Sequence, residues 1–128
     1  MPATVAVPRI AEFRIDAVPP SINELMRNHR LRMTEPAKWR LIVRNASRGI
    51  EPFSTPVRIF LTFYAGTPGR PVDAPNHEKM VTDGMVTAGL IYDDRWPYVQ
   101  QLILSGPPLA KGFAPYTTVR IEPMAEGE

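Results

Sequence analysis

Residues 10 to 18 (IAEFRIDAV) place Phe13, Ile15 and Ala17 in alternation with Arg14 and Asp16, the period of two expected of a strand with one wet face. Pro19-Pro20 ends that pattern. Residues 56 to 64 (PVRIFLTFY) are apolar on both parities, with Val57, Ile59, Leu61 and Phe63 on one face and Phe60 and Tyr64 on the other. A strand that is apolar on both faces belongs inside a sheet. Between them, SINELMRNHRLRMTEP carries no sustained helical face and reads as a long basic connection with a helical turn around Ile22 to Met26. Thr34 or Glu35 followed by Pro36 predicts a helix start, because proline at the first helical position gives up no needed hydrogen bond. From there Trp39, Ile42, Val43 and Ala46 form an apolar stripe, Arg40, Arg44 and Arg48 recur every four residues beside it, and Gly49 closes the helix.

The Gly- and Pro-rich AGTPGRPVDAP is a loop, expected to be mobile, and a second helix is predicted over Asn76 to Ala88, ending at Gly89. Val81, Met85 and Ala88 supply its core side, with Met80 and Gly84 on an adjoining strip. YVQQLILS and TTVRIEP read as further strands separated by the loop GPPLAKGFAPY. The resulting order, β-α-β-α-β-β, predicts an α/β (α+β) fold: a small mixed or antiparallel sheet with two main helices. No Gly-rich phosphate fingerprint joins a strand to a helix, so no nucleotide cofactor is expected.

At 128 residues with 44% apolar content, the chain has the size of one domain, with a core from about 12 to 121 and loose ends at 1–10 and 123–128. Its 15 prolines are spread along the whole length and punctuate loops. No stretch approaches ~20 continuous apolar residues and the N-terminus lacks a basic start, so neither a membrane span nor an export signal is expected, and the reading is cytoplasmic. The charges nearly cancel, 15 basic against 13 acidic, yet residues 27 to 48 hold seven cations and only Glu35, a local charge of +6. Such a region suits a polyanion. The absence of cysteine excludes thiolate catalysis and thiolate metal sites, leaving oxygen and imidazole ligands.

Four of the five aspartates, Asp73, Asp83, Asp93 and Asp94, lie within 22 residues, and Asn76, Lys79 and Asp83 are spaced to share one helical face. Composition and spacing leave two readings open. Asp93-Asp94 is a turn and Lys79–Asp83 an exposed pair, or the carboxylates converge in a cleft. Converging carboxylates repel unless a cation neutralises them, and oxygen ligands select Mg²⁺ or Mn²⁺, ions that can activate water for attack on a phosphodiester.

These residues resemble the RusA-like crossover junction endodeoxyribonucleases, small dimeric Holliday junction resolvases common in phages and prophages. The resemblance rests on Asp73, Asn76, Lys79, Asp83-Gly84, Ala88-Gly89-Leu90 and Asp93-Asp94, with Val99 opening the next strand; Val18-Pro19-Pro20, Asn23, Arg27 and His29 fit upstream. It covers about residues 12 to 121, with residues 70 to 99 the specific part. It implies a RusA-like single domain in which Asp73, Asp93 and Asp94 bind the metal and Lys79 sits near the scissile phosphate. By the same resemblance Asp83 orients Lys79 or a water on the metal, and Asn76 fixes the loop or touches the phosphate backbone. One departure stands out. Many members carry two aspartates, one residue apart, immediately before the Asn, whereas here the order is Asp73-Ala74-Pro75-Asn76, and Pro75 has no side-chain ligand. Glu78 and His77 are the substitutes to consider.

The activity implied is a Mg²⁺-dependent structure-specific endonuclease that resolves four-way junctions by paired nicks in DNA recombination and repair, acting as a homodimer. The DNA-binding residues expected beside Asn76 are Arg27, Arg30, Arg32, Arg40, Arg44 and Arg70, through salt-sensitive phosphate contacts. Phe113 and Tyr116 either wedge at the crossover or cover the sheet. Two other readings compete: a catalytically silent branched-DNA binding protein, because Pro75 replaces an expected carboxylate, and a small α/β domain that binds a protein partner.

Overall fold

The computed structural model describes residues 9–124. Strand β1 (Ala11–Ile15) is followed by helices α1 (Ile22–Arg27) and α2 (His29–Ala46), strand β2 (Val57–Tyr64), helix α3 (Lys79–Thr87) and strands β3 (Val99–Ser105) and β4 (Tyr116–Pro123). The four strands form one sheet in the order β1-β4-β2-β3. β4 runs antiparallel to both β1 and β2, while β3 lies parallel to β2 across the α3 crossover, so the sheet is mixed. The doubly apolar β2 is an interior strand, as its pattern predicts.

One face of the sheet carries the core. Val57, Ile59, Leu61 and Phe63 of β2 are fully buried, with Val119 and Ile121 of β4 beside them and Trp39, Val43, Val81 and Met85 of the helices above. α2 and α3 touch closely at Gly84, where a Cβ would stand 2.8 Å from Val43 Cγ2 and 2.9 Å from its Cβ. Any side chain there would push α3, and the residues it carries, away from α2. The opposite sheet face holds Arg58, Phe60, Thr62, Tyr64, Thr118, Arg120 and Glu122, all half-exposed.

The connection expected between β1 and α2 is instead helical. Ser21 and Glu24 form a reciprocal capping box, the Ser21 Oγ accepting from the Glu24 amide at 3.1 Å and the Ser21 amide donating to Glu24 Oε1 at 3.2 Å. Asn28 then caps α2 by accepting from the Leu31 amide at 3.2 Å. Pro36 therefore lies inside α2 and not at its start. The second helix is shorter than its expected span: Ala74–Asn76 make a 3₁₀ turn, α3 begins at Lys79, and Gly89 follows it with φ +76°.

The two Gly/Pro loops are tied down. Thr67 and Arg70 exchange backbone hydrogen bonds at 3.0 and 2.9 Å, the Val72 amide donates to the Gly106 carbonyl at 3.2 Å, and the Leu109 amide donates to Gly66 at 2.7 Å. Tyr116 opens β4 and stacks on Tyr64, ring centroids 4.4 Å apart, with the Arg14 guanidinium 4.0 Å from its centroid, so it covers the sheet. Phe113 stays exposed. At the C-terminal end Pro123 pairs with Val57 and buried Met124 donates its amide to Pro56 at 2.8 Å, so the chain is held through 124. At the other end Arg9 pairs with Glu51 at 3.6 Å; the remaining parts of the expected loose ends, 1–8 and 125–128, lie outside the described residues.

Candidate functional site

Lys79 is the first residue of α3, and its position organises the acidic cluster. One turn on, Asp83 Oδ1 lies 3.1 Å from Lys79 Nζ, and Asp94 Oδ2, from the segment after the helix, lies at the same distance. That segment returns because Gly89 turns the chain and Leu90 and Ile91 plug into the core, which leaves the following aspartates beside α3. The Asp94 amide donates to Asp93 Oδ1 at 2.7 Å, and the Arg95 Nε lies 2.8 Å from Asp93 Oδ2 as an ion pair. Lys79, Asp83, Asp93 and Asp94 line one open depression of about 340 Å³, completed by Val86, Thr87 and Arg40 of α2.

Hydrogen bonds to Asp83 and then Asp94 outweigh partial burial and hold the Lys79 ammonium above its ordinary value. The same hydrogen bond from Lys79 is the main reason the Asp94 carboxyl lies below the usual aspartate range, against a smaller opposing effect of desolvation. Both groups are thus charged throughout the neutral range. The depression holds the Lys79 ammonium and the Asp94 carboxylate, each favouring the charged form of the other.

Two of the expected site residues stay apart from it. Asp73 Oδ2 accepts from Asn76 Nδ2 at 2.7 Å across the 3₁₀ turn, and neither lines the depression. Asn76 precedes α3, so the helical face it was expected to share with Lys79 and Asp83 does not include it. The substitutes for the missing carboxylate have other partners. His77 Nδ1 donates to the Pro19 carbonyl at 2.7 Å, and Glu78 Oε2 accepts from Thr82 Oγ1 at 2.8 Å.

Among the described residues, no three acidic or histidine side chains are gathered in a geometry that would hold an ion. The donor set that fits best is the adjacent pair Asp93 and Asp94, each about one-third exposed. Two carboxylates suit Mg²⁺, which keeps several waters and draws further oxygens from a phosphate, and do not suit an all-protein cage.

The arginines separate by role. Arg32 Nη1 donates to the Leu25 and Met26 carbonyls at 3.1 and 2.8 Å, so it closes the end of α1. Arg27 turns back on the Asn23 carbonyl at 3.3 Å. Arg30 and Arg70 are exposed but line no part of the depression. Arg40 reaches the depression, and Arg44 lines a neighbouring hollow of about 320 Å³ with Arg48, Ser47 and Leu90. The sequence reading missed Arg95 as the partner of Asp93, although the adjacency Asp93-Asp94-Arg95 was there to be read.

No family model and no curated protein matches the chain. Fold and site together define a small mixed α/β domain with a cation-bridged acidic depression at the side of its crossover helix. Among the described residues, no helix is long and apolar enough to cross a membrane.

Proposed function

We propose that this chain is a RusA-like, Mg²⁺-dependent endonuclease that resolves four-way DNA junctions by paired nicks, as a homodimer with one acidic site on each of two opposed strands. The observation that supports this best is the convergence of Lys79, Asp83, Asp93, Asp94 and Arg40 in one open depression. A protonated lysine clamped between two carboxylates is a preorganised cation, suited to steady charge as it develops on a phosphate. Arg40 and Arg95 add the positive charge that draws a phosphate backbone to an otherwise acidic patch. Asp93 and Asp94 would hold the ion, which supplies electrostatic stabilisation of the transferring phosphoryl group. Asp73 and Asn76 shape the loop that enters α3.

The test is incubation of purified protein with a mobile four-way junction and a matched linear duplex, with and without Mg²⁺ or Mn²⁺, beside the Asp94→Asn variant. Paired nicks on opposed strands that require metal and Asp94 are expected. The second reading, a silent branched-DNA binding protein, draws on a specific observation. Asp93 and Asp94 are already neutralised by Arg95 and Lys79, and Pro75 contributes no carboxylate. That protein would bind junctions equally with or without metal and release no products.

A further inference from the structure

The segment that carries Asp93 and Asp94 is bracketed by large aromatic side chains turned outward. Tyr92 is 73% exposed and Trp96 68%. Tyr92 leans on Tyr98, centroids 4.6 Å apart and planes at 40°, and together with Phe53, Ser54, Thr55 and Ile91 they line a pocket of about 300 Å³. Its walls are tied by backbone hydrogen bonds: Phe53 to Leu90 at 2.9 Å, Val57 to Tyr98 at 3.0 Å, and Tyr98 to Arg95 at 2.9 Å. The pocket is therefore preformed. It sits at the small end of the ~300–1,000 Å³ typical of ligand pockets. Tyr92, which lines this pocket, is followed directly in the chain by Asp93, which lines the acidic depression.

We propose that this pocket receives one unpaired DNA base next to the phosphate held in the depression, its ring stacked on Tyr92 and its polar edge within reach of the Ser54 and Thr55 hydroxyls. This rests on the nuclease reading and names the substrate feature that reading leaves open. A base within a duplex is stacked and paired, so only an opened one can enter. Aromatic rings bind any base face, and Arg40, Lys79 and Arg95 next door suit the phosphate attached to it. A branch point offers both groups together; an intact duplex offers only phosphate.

The test is equilibrium binding in EDTA, by fluorescence anisotropy, of a four-way junction carrying unpaired bases at its crossover and of the matched linear duplex, using the wild type, Tyr92→Phe and Tyr92→Ala. The wild type should prefer the junction, and that preference should fall about tenfold in Tyr92→Ala and persist in Tyr92→Phe, which keeps the ring. An unchanged preference in Tyr92→Ala, an equal loss in Tyr92→Phe, or no preference in the wild type would overturn the proposal. A parallel nicking assay in Mg²⁺ separates the two inferences. Tyr92-dependent preference without nicks leaves the pocket standing and removes the nuclease, whereas Asp94-dependent nicks with an unchanged preference remove the pocket alone.

Discussion

Two charged clusters in this molecule have similar composition and different construction. On the open face of the sheet, Arg58 and Glu122 sit directly opposite each other on β2 and β4, and Glu12 and Arg120 do so on β1 and β4. Glu122 lies 3.5 Å from Arg58 and 2.7 Å from Arg120, and Arg120 also pairs with Glu12. Two arginines cancel two glutamates, and the strand register together with the period-two alternation of β4 sets every partner. In the depression Lys79 and Arg40 meet Asp83, Asp93 and Asp94, with Arg95 paired to Asp93 beside them, and the Lys79 pairs join a helix start to a helix face and to a returning loop. Balance of charge therefore does not separate a functional cluster from a structural one. What separates them is whether the partners are imposed by the register or can be exchanged for a ligand's charge.

The sharpest way to break that contrast is to neutralise one carboxylate in each cluster. Asp94→Asn should reduce nicking of a four-way junction by about 100- to 1,000-fold, the scale on which a single electrostatic group at a reacting centre is felt. Glu122→Gln should change it less than about twofold, since register-bound charges do no chemistry. Rates from single-turnover assays on one labelled junction decide it. Equal losses in both variants would mean that the two clusters are not different in kind.

A second test moves the depression without touching its charges. Gly84→Ala places a methyl against Val43, and overpacking of this kind costs about 1–3 kcal/mol. Urea denaturation should show that loss. Because α3 carries Lys79 and Asp83, nicking should fall further than the loss of folded protein accounts for, while the cross-strand network is untouched. A Gly84→Ala protein of wild-type stability would show that α2 and α3 are not in the close contact described.

The two clusters were also unequally legible in the sequence, for a physical reason. The strands announce themselves: alternation at Phe13 and Ile15 and the doubly apolar β2 have a period of two that survives any detail of tertiary packing, and register then follows from burying one face. The basic stretch between β1 and the Trp39 stripe was misread because Glu35 and Pro36 interrupt the helical face where Leu31 would join it. Glu35 is only 14% exposed in its side chain and Pro36 lies mid-helix, both choices that a pattern reading excludes. The signal that was present is local: Ser21 with Glu24, and Asn28 before Leu31, are cap residues at both starts. For the depression, the spacing of Lys79 and Asp83 predicts their pairing. The arrival of Asp94 beside Lys79, fifteen residues on, depends on how Leu90 and Ile91 plug into the core, and no periodicity encodes that. Asp73 and Asn76 failed to join for the same reason: the 3₁₀ turn spends their hydrogen bond locally.

A smaller effect sharpens the comparison from the structural side. A double-mutant cycle of Arg58→Met and Glu122→Gln, read by urea denaturation, should give a coupling below about 1 kcal/mol, the usual yield of a partly exposed pair. The Arg58 Nε is buried without a hydrogen-bond partner, which further limits what the pair contributes. A coupling of several kcal/mol would make the sheet network a principal source of stability and reverse its description as register-bound surface charge.

The smallest expected effect is on titration, and it distinguishes how Lys79 and Asp94 depend on each other. Asp94 titrates below its ordinary value in the folded protein, so its contribution is present above about pH 3.9 and is lost as the pH falls through its lower folded value. Lys79 titrates above its ordinary value, so its contribution is complete below about pH 10.4 and is lost as the pH rises through its higher folded value. Between those limits the ion pair is intact and stability should be nearly flat on its account. Lys79→Met removes the first cause of the Asp94 shift and leaves Asp83 and Asp94 facing each other without the ammonium between them. The Asp94 carboxyl midpoint, followed by NMR, should then rise, and the stability difference between wild type and variant should shrink below about pH 4 as Asp94 protonates. An Asp94 midpoint that stays where it was in Lys79→Met would show that the two groups are neighbours without being coupled. The depression would then lose the feature that sets it apart from the sheet: a cation whose partners are held by a loop and a helix and not by strand register.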